Sequence, residues 1–300
     1  MSVFVQQSGT ECEFCSSDSW VILSPIEQSI KRKIEAVGTP LKDWDIQINY
    51  GIKTGYNDAF IIDTAKRDEI LANCQSEDER KRTAELIRPI LRGRDIKRYG
   101  YNWAGLYLIA TFPSRHYDIE QYPAVKEYLL SFGIERLEQT GKEHNVNGEK
   151  IKARKKTSNK WFETQDSISY WEDFSKPKIV FQEIVQESQF FYDMDGRFIC
   201  NDTCRIIVGK ELSFLLGVLN SKLFFYAIKH FYGGGVLGEH GIRMKHTFFQ
   251  NFPCIQYNST IDKLVKELTE KKNAKVENQI GNKIYNLYGL TPQEIQMVEE

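Results

Sequence analysis

The stretch K-I-V-F-Q-E-I at residues 178–184 begins the most strongly patterned region of the chain. Its apolar run predicts a buried strand, and C-R-I-I-V at 204–208 predicts another. A hairpin is predicted between them, because apolar segments flank a tight-turn dipeptide. Its parts are residues 190–194, Asp195-Gly196 and 197–200. We therefore expect a sheet at the centre of the chain.

Helices are predicted after this sheet. Apolar residues from Leu212 to Phe231 recur at helical spacing, and Gly233-Gly-Gly235 ends that helix. A second apolar stripe predicts one long helix over about 260–288, opened by a capping box at Ser259-Thr-Ile-Asp262. Another capping box, Thr291-Pro-Gln-Glu294, predicts a short terminal helix.

Shorter elements are predicted towards the N-terminus. Pro25 lies in the first turn of a predicted helix over 24–37, and Gly38 ends it. The polar and basic segment 140–160 has no apolar period and is predicted to be a loop. The remaining predictions are strands at 46–50, 59–62 and 106–112 and helices at 76–90 and 122–132.

These patterns predict an α+β fold with a mixed or antiparallel sheet, flanking helices and a helical C-terminal segment. We expect three parts along the chain. The first is a lead-in with one helix over residues 1–45, the second is the main domain over 46–255, and the third is the helical segment over 256–300.

The composition is that of an ordinary globular protein. The 300 residues are 41% hydrophobic, and 40 basic residues balance 41 acidic ones. A surface for nucleic acid therefore requires local segregation of charge. No apolar run reaches the ~18 residues that cross a bilayer, and no signal peptide is recognisable. We expect a cytoplasmic protein with no membrane partner.

The cysteines predict neither a disulfide scaffold nor a metal site. Cys12 and Cys15 have the spacing of a zinc knuckle, and Cys200 and Cys204 could complete a ligand set. The second pair, however, lies in a segment with strand character, where residues four apart point to the same face and pack. We therefore predict no metal ligands.

No catalytic constellation is recognisable in the sequence. The eight prolines are isolated, so there is no Asn-Pro-Pro-aromatic motif of the kind that forms the amino-group pocket of N6-adenine and N4-cytosine methyltransferases. Asp95 and Lys97 form a fragment of a nuclease-like D-x-K pattern, but no Pro-Asp precedes them. We predict no catalytic residue, and a self-contained nuclease is a minor alternative.

Basic residues are concentrated in two blocks. Segment 80–98 has eight Lys or Arg against two acidic residues, and segment 142–160 has seven against two. Such blocks bind phosphates, and Arg can also read the edge of guanine. Solvated helix faces produce the same charge runs, so the charge pattern alone leaves both interpretations open.

Eight strings, in order, resemble the TaqI-like C-terminal specificity domain over about residues 20–255. The tail I-D-K-L-V-K-E-L and I-Y-N-L-Y-G-L-T-P-Q-E-I is similar to the helical close of the same proteins. The eight strings are W-D-I-Q-I-N-Y-G-I-K-T-G-Y-N-D-A-F-I-I-D (44–63), L-I-R-P-I-L-R-G-R-D-I-K-R-Y (86–99), W-A-G-L-Y-L-I (103–109), Y-P-A-V-K-E-Y-L (122–129), R-K-K-T-S-N-K-W-F (154–162), K-P-K-I-V-F-Q-E-I (176–184), L-G-V-L-N-S-K-L (216–223) and R-M-K-H-T-F-F-Q-N-F-P (243–253).

The resemblance implies that residues 46–255 are a DNA target recognition domain, which grips duplex DNA and positions an adenine for flipping. In that family the domain follows an adenine-N6 methyltransferase core, often with a nuclease on the same chain, as in type IIG restriction-modification enzymes. The implied partners are double-stranded DNA and a methyltransferase catalytic domain or subunit. S-adenosylmethionine is implied as a cofactor of that catalytic domain only, whose residues have no matching positions in this sequence.

Two other functions stay open at this point. A stand-alone subunit, similar to the specificity subunits of type I systems, would recruit separate methylase and nuclease chains. The predicted 260–288 helix supports it, because such subunits use long helices as spacers. A protein-interaction module is the remaining alternative, and failure to bind any duplex would favour it.

Candidate DNA-binding residues come from the basic blocks and from the glycine-framed loop G-I-K-T-G-Y-N at 51–57. We expect this loop to bring backbone amides and Asn57 to a phosphate or base. Around Gly93 we expect one arginine at a base, the other basic residues at phosphates, and Asp95 fixing an arginine. The full set is Lys53, Thr54, Tyr56, Asn57, Arg92, Arg94, Lys97, Arg98, Arg154, Lys155, Lys156, Arg243 and Lys245.

Overall fold

The computed structural model describes residues 23–233, 236–237 and 241–300, with the backbone alone described at 236–237. The Cys12 and Cys15 pair lies outside the described residues. The strands are β1 Thr39–Pro40, β2 Ile46–Tyr50, β3 Ile61–Asp63, β4 Ile87–Leu91, β5 Ile96–Lys97, β6 Gly100–Tyr101, β7 Leu106–Ile109, β8 Glu143–Val146, β9 Glu149–Lys152, β10 Lys178–Gln182, β11 Ile184–Val185, β12 Phe190–Asp193, β13 Ile199–Cys200, β14 Cys204–Gly209, β15 Val236–Leu237, β16 Gly241–Arg243 and β17 Pro253–Cys254. The helices are α1 Pro25–Val37, α2 Asn57–Phe60, α3 Thr64–Ala72, α4 Glu77–Leu86, α5 Pro123–Leu130, α6 Ile134–Leu137, α7 Leu212–Leu219, α8 Lys222–Ala227, α9 His246–Phe249, α10 Ser259–Glu270, α11 Ala274–Leu287 and α12 Pro292–Glu299.

The chain divides into two compact units. The sheet unit consists of Gln47–Glu183 and Phe190–Gly209, and the helical unit contains the described residues of 23–46, Ile184–Gln189 and Lys210–Glu300. This division differs from the boundary expected at 255, because α7 packs on α10 and groups with the C-terminal helices.

The sheet unit contains the two-stranded pairs β5-β6 and β8-β9 and two four-stranded sheets. One has the order β12-β10-β14-β2, and β10 is antiparallel to β12 and β14, so that Ile179 lies opposite Tyr192 and Ile207. The other has the order β13-β4-β7-β3, in which β13 runs parallel to β4 and the other pairs are antiparallel. This mixed pairing with flanking helices confirms the predicted α+β class.

The sheet unit has one continuous hydrophobic core. Ile90, Leu108 and Ile206 from the strands are completely buried, and they belong to the same cluster as Val125 and Leu129 of α5. Burial on both faces explains why β10 and β14 are seen in the sequence as unbroken apolar runs without alternation.

An ion pair lies inside this apolar unit. The Lys178 ammonium is fully buried and donates to the Asp193 carboxylate at 2.5 Å and to the Phe174 carbonyl at 2.8 Å. Burial lowers the pKa of Lys178, and the Asp193 charge opposes that shift. The pair joins the ends of β10 and β12.

The helical unit is organised around contacts of α10 with α7 and α11. Gly217 allows the close approach of α7, since a Cβ atom at that position would lie 2.7 Å from Val265 Cγ2. Among the described residues no single helix is long and apolar enough to cross a membrane, and α7 passes that test only together with residues 222–232, at a bend of 63°.

The prediction of a hairpin around Asp195-Gly196 is wrong. β12 pairs with β10 and β13 pairs with β4, so the flanking segments belong to different sheets. The Asp193 carboxylate accepts hydrogen bonds from the backbone N–H groups of Arg197 and Phe198. These bonds fix the chain after the turn, where it leaves β12 and continues into β13.

Two predicted helices are each interrupted by a new cap. The helix predicted from Leu212 breaks before α8, where the Ser221 hydroxyl accepts a hydrogen bond from the Phe224 N–H. The helix predicted over 260–288 is divided into α10 and α11, and Asn273 caps the second. Short polar residues that cap a helix also appear on exposed helix faces, so the apolar stripe alone did not reveal either break.

The cap of α10 also differs from the prediction. The side chain of Asn258, one residue before the predicted cap Ser259, accepts hydrogen bonds from the N–H groups of Thr260 and Ile261. The capping box at Thr291 and the helix that follows Ser24 are confirmed.

Three shorter predictions need correction. Residues 140–160 are not a loop throughout, because β8 and β9 pair through Asn147-Gly148, whose φ angles are +52° and +87°. Asn-Gly is itself a signal for a tight hairpin, and the absence of apolar alternation hid it. The end of the helix predicted at 76–90 is strand β4, and the start of the strand predicted at 59–62 is helix α2.

We predict that Asp193→Ala lowers the free energy of unfolding by about 3–5 kcal/mol, because it leaves the Lys178 ammonium buried without a counter-charge. Urea denaturation measures the effect. Lys210→Ala is the control, since its ion pair with Asp45 is solvent-exposed and should leave the midpoint unchanged. Equal midpoints for Asp193→Ala and the wild type would contradict this structural role.

Candidate functional site

The Arg154 side chain is buried and joins three segments of the sheet unit. Its guanidinium donates to the carbonyls of Leu137, Thr54, Glu163 and Trp161 at 2.8, 2.8, 2.8 and 2.6 Å. Burial lowers the pKa of Arg154 to about 10, and the Glu163 charge opposes the shift. The structure therefore corrects the expectation that Arg154 binds phosphate: its donors are occupied inside the protein.

The loop at 51–57 is held from within as well. The Thr54 side chain is 1% exposed, and its hydroxyl donates to the Asn57 side-chain oxygen at 2.6 Å. Gly55 has φ +78°, a backbone angle that favours glycine. Thr54 is thus a positioning residue rather than a ligand contact, whereas Lys53 and Asn57 are exposed.

An open depression of about 340 Å³ lies beside this loop. No carboxylate is among the residues that line it, and five of them are basic. Arg136, which the sequence analysis missed, donates to the Tyr56 hydroxyl at 3.3 Å, and its guanidinium lies 5.6 Å from the centre of that ring. The lining residues are Gly55, Tyr56, Arg136, Lys150, Ile151, Lys152, Ala153, Arg154 and Lys155.

The depression brings together two groups of predicted residues that are about 100 positions apart. Tyr56 from the glycine-framed loop and Lys155 from the second basic block line the same surface. Lys156 is exposed next to them. The basic residues that line one surface repel one another, so binding of an anion there lowers the electrostatic energy of that surface.

The turn at 92–98 divides its basic residues into two kinds. Arg92 is bound by Asp95, with Nε to Oδ2 at 3.0 Å and Nη2 to Oδ1 at 2.9 Å, and these hydrogen bonds raise the pKa of Arg92. This geometry fits the expectation that Asp95 fixes an arginine. Arg94 is exposed, and its side chain has no partner among the described residues.

The two other basic residues of this turn have local contacts. Lys97 donates to the Arg94 carbonyl at 2.8 Å. The Arg98 guanidinium lies 5.4 Å from the centre of the Tyr99 ring. Both side chains are partly exposed.

One turn at 200–204 anchors both candidate loops. The Ile52 N–H donates to the Cys200 carbonyl at 2.7 Å, and the Gly93 N–H donates to the Thr203 hydroxyl at 2.9 Å. Gly51 is required here, because a Cβ atom would lie 1.8 Å from the Asn201 carbonyl oxygen. The loops at 51–57 and 92–98 therefore start from the same edge of the sheet unit.

Cys200 and Cys204 are buried at the two ends of this turn. Cys200 ends β13 and Cys204 begins β14. These two strands belong to different sheets, so the cysteines do not share one strand as expected.

The remaining candidates lie in the other unit. Arg243 and Lys245 are exposed residues of the helical unit, at and after β16. The Lys245 ammonium lies 5.6 Å from the centre of the Phe248 ring. All the other candidate DNA-binding residues lie in the sheet unit.

The sequence model of the TaqI-like C-terminal specificity domain family matches residues 88–235 of this chain. The match confirms, over those residues, the resemblance inferred from the sequence. It includes the turn at 92–98, the β8–β9 hairpin and Arg154. The strings at 44–63 and 243–253 lie outside it, and for them the resemblance stays a prediction.

Two solved structures share the fold of this chain. One is the type IIL restriction-modification enzyme MmeI in complex with DNA, with a TM-score of 0.54, 14% identity and coverage of 87% of this chain and 35% of that chain. The other is the type IIG restriction endonuclease BpuSI, with a TM-score of 0.55, 13% identity and coverage of 91% of this chain and 31% of that chain. The chain spans about a third of the length of these proteins.

We predict that Arg154→Met lowers the free energy of unfolding by about 3 kcal/mol or more, because three buried carbonyls and one part-buried carbonyl lose their donor. Urea denaturation measures this loss, and Lys155→Met is the matched control, since the neighbouring side chain is exposed. Should Arg154→Met be as stable as Lys155→Met, Arg154 would not have the internal role assigned to it.

Proposed function

We propose that this chain is the target recognition part of a restriction-modification enzyme and that its sheet unit binds duplex DNA. The observation that carries the proposal is the depression between the loop at 51–57 and the β8–β9 hairpin, lined by basic residues and no acidic ones. A specificity domain needs such a surface, because phosphate contacts supply most of the affinity and fix the register on the duplex.

The cations around the depression suit phosphate contacts in different ways. Lys152 and Lys155 are exposed and have no side-chain partner among the described residues, so their ammonium groups can replace condensed counterions. Arg136 is oriented by the Tyr56 hydroxyl, and an oriented guanidinium loses less entropy when it binds phosphate.

The context that we propose is an enzyme with an adenine-N6 methyltransferase domain or subunit, similar to the type IIG enzymes. In that arrangement S-adenosylmethionine binds the catalytic part, and this chain supplies sequence preference. The support is the match to a specificity domain and the length of the solved neighbours, in which a chain-sized part is about a third of the whole.

The stand-alone, type I-like alternative loses its supporting feature in this structure. It was favoured by one long helix over 260–288, which would act as a spacer. The segment forms two helices, α10 and α11, that contact each other within the helical unit. A separately encoded recognition subunit therefore has no specific observation in its favour.

Binding of duplex DNA should depend steeply on salt. With about five phosphate contacts, the slope of log K against log[salt] should be about −4 to −5. Fluorescence anisotropy titrations from low to physiological salt measure it. Lys155→Ala should reduce the slope by about one unit on any sequence, whereas Lys263→Ala, an exposed lysine of α10, should leave it unchanged. A flat salt titration would contradict the proposed function.

Arg94 and Lys155 should differ in what they recognise. Arg94 lies beside Gly93, where Asp95 already occupies Arg92, so its free guanidinium can reach a guanine edge. Arg94→Ala should cost about 1–3 kcal/mol on the preferred sequence and relax preference at one base position. Competition binding against random duplexes measures both effects. The assignment is reversed if Arg94→Ala weakens all sequences equally while Lys155→Ala changes base preference.

A further inference from the structure

The β8–β9 hairpin has a polar face of which the depression includes only one strand: Lys150 and Lys152 of β9 line the depression, whereas Glu143 and Asn145 of β8 do not. In this antiparallel pair Asn145 lies opposite Lys150, and Glu143 lies opposite Lys152. Side chains two apart on a strand, and those directly opposite, share a face. These four side chains therefore form one face, which we call the ribbon face, and all four are exposed.

The opposite face of the hairpin points towards the protein. His144, Val146 and Ile151 are half-buried there, and the His144 Nε2 atom lies 3.9 Å from a Glu138 carboxylate oxygen. The hairpin is thus oriented by its apolar side. Its polar side is exposed.

The base of the hairpin is continued by backbone hydrogen bonds. The Ala153 N–H donates to the Lys142 carbonyl at 2.8 Å, and the Gly141 N–H donates to the Arg154 carbonyl at 2.8 Å. An isolated two-stranded hairpin is only marginally stable, so this anchoring at Arg154 supplies the rigidity that a reading element requires.

Among the described residues the side chains of Asn145 and Lys150 have no hydrogen-bond or ion-pair partner. The strands are four residues long and joined by a two-residue turn, so the ribbon is about 13 Å long. A two-stranded ribbon fits the major groove of B-DNA, which is about 12 Å wide, and the minor groove, about 6 Å wide, excludes it.

We propose that the ribbon face enters the major groove and that Asn145 and Lys150 contact the edges of purine bases. This inference rests on the proposed function and names the reading element. The NH2 group of an asparagine side chain can donate to N7 of adenine while its carbonyl oxygen accepts from the N6 amino group, and a lysine can donate to O6 and N7 of guanine. Because Asn145 is uncharged, counterion release cannot explain a contribution from it.

The test uses the whole chain. Selection from a pool of random duplexes defines the sequence preferred by the wild type, and competition titrations then compare that sequence with random DNA. Asn145→Ala should lose about 5- to 150-fold affinity for the preferred sequence and relax preference at one A·T pair, with binding to random DNA unchanged. Lys150→Ala should relax preference at a G·C pair. Glu149→Ala, on the opposite face, is the matched control.

A modified base tests the contact itself. Replacing the adenine at the affected position by 7-deazaadenine removes the N7 acceptor from the major groove. This replacement should weaken the wild type and leave Asn145→Ala no weaker than before, because that variant has already lost the contact. Thermal denaturation checks that each variant is folded, which is expected for exposed positions.

The outcomes separate the two levels of the argument. Absence of salt-dependent duplex binding by the wild type would overturn the proposed function and this inference with it. Binding without base preference would overturn the ribbon inference alone. The same holds if Asn145→Ala and Lys150→Ala affect preferred and random DNA equally, or if 7-deazaadenine weakens the wild type and Asn145→Ala to the same extent.

Discussion

The candidate surface depends on one buried cation. The Arg154 guanidinium donates its hydrogen bonds to four backbone carbonyls and not to a carboxylate. Those carbonyls belong to the loop at 51–57, to α6 and to residues 161–163. An ion in this position is tolerated only because its donors are filled. The consequence is geometric: the loop and the base of the β8–β9 hairpin are held at fixed positions on either side of the depression.

The sheet unit contains two kinds of cationic side chain: some are bound inside the protein, and others are exposed. Arg92 is paired with Asp95 and Lys178 with Asp193, and Arg154 donates hydrogen bonds to carbonyls. Each of these cations fixes the backbone. Arg94 and Lys155 lie within two residues of such anchors, and their side chains are exposed. This arrangement places exposed cationic groups on a fixed backbone, as expected where binding residues are carried by loops on a rigid scaffold.

The two loops that carry these cations are connected through the turn at 200–204. It accepts a hydrogen bond from Ile52 and another from Gly93, and the absence of a side chain at Gly51 permits the close approach. The Lys178–Asp193 pair supports the same region from β10 and β12, since Asp193 also binds the N–H of Phe198, just before β13. The proposed contacts with DNA thus depend on packing deep in the sheet unit.

The α+β class, the buried strands β10 and β14, the helix after Ser24, the terminal capping box and the two basic blocks could all be predicted from the sequence. These follow from local periodicity, capping residues and charge, which the tertiary structure did not override. The partner of each strand was decided by the tertiary structure: the segments around Asp195-Gly196 pair in different sheets, because Asp193 binds the backbone beyond the turn. The role of each arginine was decided there too. Arg154 and Arg94 are both arginines of a basic block, and the difference between them is burial. A buried guanidinium surrounded by carbonyls is a structural group, whereas an exposed guanidinium can bind a ligand.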